Sequence, residues 1–317
     1  MRLVVEVANL NRILSFIRGC VPTKSTLPIL QHVLFCGSGS TLTVRATNLE
    51  REAEASCPAQ MDDGGFFTLP GEMLCGIVAG LPQGGQICFQ RKGADRIELV
   101  SGGSKFTLRS LDPQEFPALV TGLGEDPTSF NIEAKTLAEL MNNVAFASDG
   151  SIVVKPELYG VRLYVDHGKL VALSTDTFKL AKHEIECPPG GETMPSVLVP
   201  LEGVQKIASI LRAIDGCVTV RVAVSAVEFS TETSRLTTKL IDKPMPEYLK
   251  VLPKIKQADF TVHPVQFRDA VERAMLVYSN VTPVKAKQQK EARLEAKDGI
   301  LTVSMGDSDL DVAHEEV

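Results

Sequence analysis

The chain has 317 residues, a formal net charge of −6, and 44% hydrophobic and 23% charged residues, which is material for two or three domains with real cores. Seven scattered cysteines without a Cys-x-x-Cys pair exclude a disulfide framework or zinc site and read as reduced core thiols of a soluble, cytoplasmic protein. No apolar run approaches the roughly 18 residues of a membrane helix, and the acidic balance counts against nucleic acid only as a whole-molecule average.

From the N-terminus, Leu3, Val5 and Val7 alternate as a strand that runs into a helix with the apolar stripe Leu10, Ile13, Leu14 and Ile17. Asn11, Arg12, Ser15 and Arg18 lie opposite that stripe, and Lys24 follows in the next loop. An alternating meander turns at Gly37-Ser38-Gly39-Ser40. A strand, Pro70 and a second striped helix (Leu74, Ile77, Val78, Leu81) come next, followed by runs that turn at Lys92-Gly93-Ala94-Asp95 and Gly102-Gly103-Ser104-Lys105. The unit is thus two halves, each a strand, a helix and a small antiparallel meander, with the helices on one face of the sheets. That is an α+β arrangement.

The pattern then repeats. LVVEVANLNRILSFI from Leu3 matches FNIEAKTLAELMNNV from Phe130 and FTVHPVQFRDAVERA from Phe260, at spacings of 127 and 130 residues. The third copy places strand positions at Phe260, Val262 and Pro264 and a helix stripe at Phe267, Ala270, Val271 and Ala274. Ala46-Thr47-Asn48 aligns with Ser174-Thr175-Asp176, and the helix after Pro70 aligns with the one after Pro200. Polar linkers at 122–127 and 253–257 set three units, 1–127, 128–257 and 258–317, the last without a second half. A half-unit predicts a poorly covered face at Phe267, Val271 and Ala274, and a mobile basic loop over 285–293. It also predicts a shortened form that closes rings poorly.

Catalytic signals are poor. The five histidines have no metal-ligand spacing, and no phosphate-binding glycine loop is present. The alternating Asp307, Asp309 and Asp311 lack the glycine and further ligands of a calcium loop and read as a solvated acidic strand. No metal and no cofactor is expected. Lys206 and Arg212 on the second helix of unit two, and Arg268 and Arg273 on the first helix of unit three, join Arg12, Arg18 and Lys24 as helix-borne cations. Taken alone these are ordinary solvated faces, since Glu139 and Asp269 occupy the positions that match Arg12.

Several strings carry a resemblance. They are Thr26-Leu27-Pro28-Ile29-Leu30, Gly160-Val161-Arg162-Leu163, Leu173-Ser174-Thr175-Asp176 followed by Lys179-Leu180-Ala181, and Pro246-Glu247-Tyr248 before Val251-Leu252-Pro253. In order and spacing the chain resembles the bacterial DNA polymerase III beta subunit family, the processivity clamps. The resemblance implies a DNA clamp fold and a homodimeric ring, when full length, around double-stranded DNA without sequence preference. It also implies polymerase and clamp-loader peptides as partners, and no membrane. Arg12, Arg18, Lys24, Lys206, Arg212, Arg268 and Arg273 would face DNA. A peptide cleft would use Leu158, Thr175, Thr177, Lys179, Leu180, Pro246, Lys250 and Val251. Here Thr177-Phe178-Lys179 stands where the family has Gly-His-Arg, and Pro156-Glu157 replaces an aromatic pair. Ring closure would join Phe106 and Leu108 to a region near Leu276 and Val277. The competing readings are an enzyme, which needs a polar constellation that the sequence does not offer, a helix-on-sheet ligand-binding module, and a non-ring accessory clamp paralogue.

Overall fold

A computed structural model describes residues 2–62, 64–117, 123–124, 126–148, 155–212, 214–244, 261–279, 292–306 and 312–316, without the side chains of 277–279, 306 and 312–314. Its contacts divide it into Met1–Pro246 and Glu247–Val317. The larger unit opens with β1 (Arg2–Glu6), α1 (Val7–Ile17), β2 (His32–Ser38), β3 (Thr41–Thr47), β4 (Arg51–Pro58), β5 (Gln60–Met61), β6 (Gly65–Pro70), α2 (Gly71–Ala79), β7 (Gln86–Arg91), β8 (Arg96–Ser101) and β9 (Ser104–Arg109). The second repeat supplies β10 (Thr128–Glu133), α3 (Ala134–Ala145), β11 (Gly160–Asp166), β12 (Lys169–Thr175), β13 (Leu180–Glu186), β14 (Val197–Pro200), α4 (Leu201–Leu211), β15 (Cys217–Val222), β16 (Ala226–Ser230) and β17 (Ser234–Lys239).

The halves are not independent. Each leading strand completes the sheet of the other half: β1 pairs with β7 (Leu3 opposite Phe89), and β6 pairs with β2 (Phe67 opposite Phe35). The second repeat does the same, β10 with β15 (Ile132 opposite Val218) and β14 with β11 (Val199 opposite Val161). Prolines make both mid-unit entries into a helix. Pro70 and Pro200 hold φ at −56°, and neither owes an N–H to the helix that follows. Gly160 opens β11 because a side chain there would strike the Val199 carbonyl.

The sheets run β5-β1-β7-β8-β9, then β10-β15-β16-β17-β4-β3-β2-β6, then β13-β12-β11-β14. The eight-stranded sheet crosses from one repeat to the next where β4 pairs antiparallel with β17, Ala53 opposite Leu236. Charges knit that seam. Arg235 reaches Glu54 across it at 3.2 Å, while Arg45 with Glu52 at 3.1 Å and Arg221 with the buried Glu228 at 3.2 Å brace the strands on either side. Beneath the first repeat Phe35, Phe67 and Phe89 stack with ring centroids 4.7, 5.4 and 5.9 Å apart. Each is fully buried and contributes about 1.5–3 kcal/mol.

The smaller unit consists of α5 (Pro264–Ser279), β18 (Ala292–Lys297), β19 (Ile300–Gly306) and β20 (Val312–Glu316), the strands in sequence order. Three expectations change here. No strand precedes α5 among residues 261–263, and Phe260 lies outside the described residues. Pro264 begins the helix instead, where its fixed φ and missing N–H suit the first turn. The helix face is better covered than a half-unit implied, since Ala270 and Ala274 are fully buried, Ala274 packing on Val303 beside the part-buried Phe267 and Val271. Of the basic stretch 285–293, residues 285–291 lie outside the described set, while Ala292 and Arg293 begin β18. Asp307, Asp309 and Asp311 also lie outside it.

Candidate nucleic-acid and peptide interfaces

The apolar stripes decide which side chains face out. Leu10, Ile13, Leu14 and Ile17 bury one side of α1, which leaves Arg12 and Ser15 exposed. Val204, Ile207, Ala208 and Leu211 do the same for α4 and turn Lys206 and Ser209 outward. The two helices, from different repeats, flank one open depression of about 980 Å³. Arg12 and Lys206 line it above Phe16, Ile210 and Ile214, with Asp215 and Glu232 also on its wall. Asp215 is engaged by Lys135 at 2.8 Å.

The other cations sort into answered and unanswered. Arg18 is held by Glu72, Nη2 to Oε2 2.7 Å, and the hydrogen bond and charge of that carboxylate raise its pKa. Arg268 bonds Asp269 at 2.7 Å and approaches Glu272, and Arg273 bonds Glu315 of β20 at 2.7 Å. Such exposed pairs contribute about 0–1 kcal/mol, so a phosphate can displace them. Arg12, Lys24, Lys206 and Arg212 make no ion pair with a described residue. Arg212 caps the C-terminal end of α4, where the helix dipole favours a cation.

A second constellation lies at the loop between β12 and β13. Thr175 Oγ1 donates to the Lys179 carbonyl at 2.7 Å and accepts from the Thr177 N–H at 3.2 Å. Asp176 Oδ1 accepts from the backbone of Phe178 and Lys179, each at 2.9 Å, and Lys179 Nζ lies 2.8 Å from its Oδ2. Burial alone would raise the Asp176 carboxyl, but those hydrogen bonds and the Lys179 charge outweigh it and hold it at about 2. The bonded loop forces Thr177 to φ 82°, costly for a β-branched residue, and leaves Phe178 92% exposed. Leu158 is buried in a short 3-10 turn and Leu180 is half-buried at the start of β13. Pro246, Lys250 and Val251 lie outside the described residues.

At the edge proposed for ring closure, Leu108 is buried and Phe106 packs on the core, so both point into their own unit. What β9 offers outward is its backbone edge, as the last strand of its sheet, with Lys105, Thr107 and Arg109 exposed. Leu276 stands exposed on α5, and Val277 belongs to the side chains not described.

Two residues escaped sequence reading. Arg51 occupies the position that matches Lys179, so the repeat alignment could have found it. Phe178 carries no signal of its own beyond its place in Thr177-Phe178-Lys179. Among the described residues no group of three or more His, Cys, Asp or Glu side chains could hold a metal, and no helix is long and apolar enough to cross a membrane. Of the histidines, His32 is buried against Thr68 Oγ1 at 3.2 Å, and burial and then Arg109 lower its pKa to about 4. It is a neutral packing residue.

Comparison with known proteins follows the same line. A family model for the DNA polymerase III beta subunit N-terminal domain matches residues 1–120, and one for its central domain matches 131–247. The Beta sliding clamp of Caulobacter vibrioides is 28% identical over 323 positions, which span 100% of this chain and 84% of that protein. The Escherichia coli K12 Beta sliding clamp is 30% identical over 257 positions, 80% of this chain and 68% of that protein. Among solved structures, a C. crescentus beta sliding clamp superposes with TM-score 0.90 at 27% identity, covering 100% of this chain and 83% of that one. A Bartonella birtlesii clamp gives 0.90 at 26% with the same coverage.

Proposed function

The chain belongs to the DNA polymerase III beta subunit family, the DNA sliding clamps of replication, and we propose that Arg12, Lys24, Lys206 and Arg212 are its contacts to duplex DNA. It is a non-catalytic processivity factor whose partners are DNA and polymerase. In this reading Arg18, Arg268 and Arg273 exchange their exposed carboxylates for phosphates. One observation carries it: helices α1 and α4 of successive repeats put Arg12 and Lys206 on one depression. Cations on solvent-facing sides of helices suit contacts that position DNA without reading its sequence.

The repeat supports three domains, 1–127, 128–257 and 258–317, and a homodimeric ring. The β4–β17 seam is the internal template for closure. In meander order β9 is the counterpart of β17, and β20 the counterpart of β4, and each is the last strand of its sheet. Closure then pairs β9 of one copy with β20 of another, with Phe106 and Leu108 stiffening the edge from within. Leu276 and Val277 lie on the helix that packs on β20. Peptides of polymerase and clamp loader, anchored by apolar side chains, would dock beside Leu158, Thr175, Leu180, Pro246 and Val251. Thr177, Lys179 and Lys250 lie at the rim of that site.

The test is retention on circular against linear DNA, with dimer mass from sedimentation. Retention on circles only, and affinity that falls steeply with salt, is expected. The log–log slope should be about −0.9 for each phosphate neutralised. Equal retention on both topologies, or a base-specific footprint at high salt, would overturn the reading.

A further inference from the structure

At the β4–β17 seam Arg235 stands directly opposite Glu54, and its guanidinium reaches that carboxylate at 3.2 Å. Strand register carries the same two positions to the strands that end their sheets. Along the meanders β9 repeats β17 with Lys105 in the place of Arg235, and β13 repeats β4 with Lys182 in the place of Glu54. An ion pair supports the first equivalence, since Lys105 bonds Glu98 at 2.9 Å as Arg235 approaches Glu228 at 3.8 Å. The loops before β4 and β13 support the second, because Thr47 and Thr175 donate to the matching carbonyls of Arg51 and Lys179.

Among the described residues neither β9 nor β13 has a hydrogen-bonded strand on its outer side. Each is a row of backbone groups that can take the other from a second copy, in the manner of the seam. Shape would allow it: Phe106 falls opposite Ala181, a large residue against a small one, as Leu236 lies against Ala53. Charge does not. On β4 two carboxylates, Glu52 and Glu54, share Arg45, so that edge has a negative charge to offer Arg235. On β13 a single carboxylate, Glu184, holds Lys169 at 2.6 Å and Lys182 at 2.8 Å, and hydrogen bonds from both keep it at about 2. β9 is cationic as well, with Lys105 and Lys92 sharing Glu98. The seam therefore joins an acidic edge to a basic one. The same register between β9 and β13 sets Lys105 against Lys182, and like charges directly opposite in a sheet are destabilising.

We infer that Lys182 is a specificity residue of assembly, which bars β9 of a second copy of this chain from β13 and leaves that β9 to β20. Discrimination between partners needs such a repulsive element as well as an attractive one. The inference rests on the reading that β9 is the edge through which copies join. What Lys182 prevents is a head-to-tail joint, which builds open chains or larger rings instead of a closed pair.

A charge-swap cycle on the full chain tests it. Lys182→Glu and Lys105→Glu each set opposite charges across the joint, and the double variant restores like ones. Each single variant should associate head to tail about tenfold more tightly than the unmodified chain at low salt, and less so as salt screens the pair. The double variant should behave as the unmodified chain does. Sedimentation reads the joint as species heavier than a dimer that grow with concentration. A cysteine pair reads its register. Copies with Ser104→Cys are mixed with copies with His183→Cys in the same charge background, and a disulfide between those positions, mapped by mass spectrometry, should form in the single variants only. Thermal midpoints show whether each variant folds, and if Lys182→Glu does not, Lys105→Glu puts the question from the other strand. That disulfide in the unmodified background, heavy species without it, or a double variant that associates like the single ones overturns the inference. Folded single variants that stay no heavier than the unmodified chain overturn it too. If the unmodified chain forms no dimer, the closure reading falls, and the cycle still judges Lys182.

Discussion

The loops 47–51 and 175–179 are built by one set of hydrogen bonds and used in two ways. In the first, Thr47 Oγ1 donates to Arg51 O at 2.9 Å and accepts from Leu49 N, and Asn48 Oδ1 accepts from Glu50 and Arg51. In the second, Thr175 and Asp176 make the same four bonds. Each loop pushes its third residue to positive φ, Leu49 at 73° and Thr177 at 82°. Beyond the backbone they diverge. Glu50 O accepts from Lys239 N at 2.9 Å, Arg51 reaches Glu202, and β4 is paired with β17, so the first loop is a joint between repeats. In the second, Lys179 folds back on its own Asp176, Phe178 stands in solvent, and β13 ends its sheet. Backbone chemistry makes the loop, and two side chains decide whether it is a seam or an open surface.

The sharpest test of that contrast is the threonine pair. Thr47 is 1% exposed, and Thr47→Val removes the hydroxyl's bonds to Leu49 N and Arg51 O inside a buried joint, a loss of about 2–3 kcal/mol. Thr175 is 9% exposed at an open rim, so Thr175→Val should lose only about 1–2 kcal/mol. Urea midpoints at unchanged m-value measure both. Equal losses would mean that the second loop is as enclosed as the first.

Next is binding. Phe178→Ala should weaken an apolar-anchored peptide by about 1–2 kcal/mol in calorimetry if the ring is an anchor, and shift stability by no more than about 0.5 kcal/mol. Glu50→Ala, the matching change in the seam, should leave peptide affinity alone. The reverse pattern would move the docking surface elsewhere.

A smaller effect concerns strain. Left-handed backbone costs about 1–2 kcal/mol for a residue with a Cβ, and glycine's added chain freedom returns about 0.5–1 kcal/mol of that. Thr177→Gly should therefore gain about 0.5 kcal/mol in thermal or urea unfolding. A loss would show that the loop relaxes to negative φ in solution.

The smallest is acid sensitivity, and only the second loop should have it. Its Asp176 carboxyl lies below the ordinary value of 3.8, at about 2 in the fold. Its stabilisation is thus complete above pH 3.8 and drains away as pH falls toward 2. Asn48 does not titrate. Amide exchange at Phe178 and Lys179 should quicken across that window while Glu50 and Arg51 hold steady, and parallel behaviour would break the distinction.

Sequence exposed the repeat because the stripe Leu10, Ile13, Leu14, Ile17 and its copies record burial directly, and each proves buried in α1. The match of Thr47-Asn48 with Thr175-Asp176 was equally visible. The use of the loops was not, since it depends on Glu202 and Lys239, far away in the chain. The same distance hid the pairing of Arg18 with Glu72 and of Arg273 with Glu315, whereas Asp269 and Glu272 stand in plain view beside Arg268. Alternation misled at Phe260–Pro264, because a run of large and small residues ending in proline serves a strand or the approach to a helix equally well.

The crossed pairing of the strands bears on how the chain is made. β1 waits for β7, and β4 for β17, about 180 residues further along, so the contacts that define both sheets are non-local and their closure is slow. During synthesis β4 is a bare edge for as long as its partner is unmade, and such an edge invites pairing with a neighbouring nascent chain. Glu52 and Glu54 sit on that edge from the moment it emerges, shared by Arg45 of β3 at first and joined by Arg235 of β17 only later. Two carboxylates only partly balanced by Arg45 repel their own kind, so two copies of β4 meeting on adjacent ribosomes are disfavoured until β17, with Arg235, covers the edge.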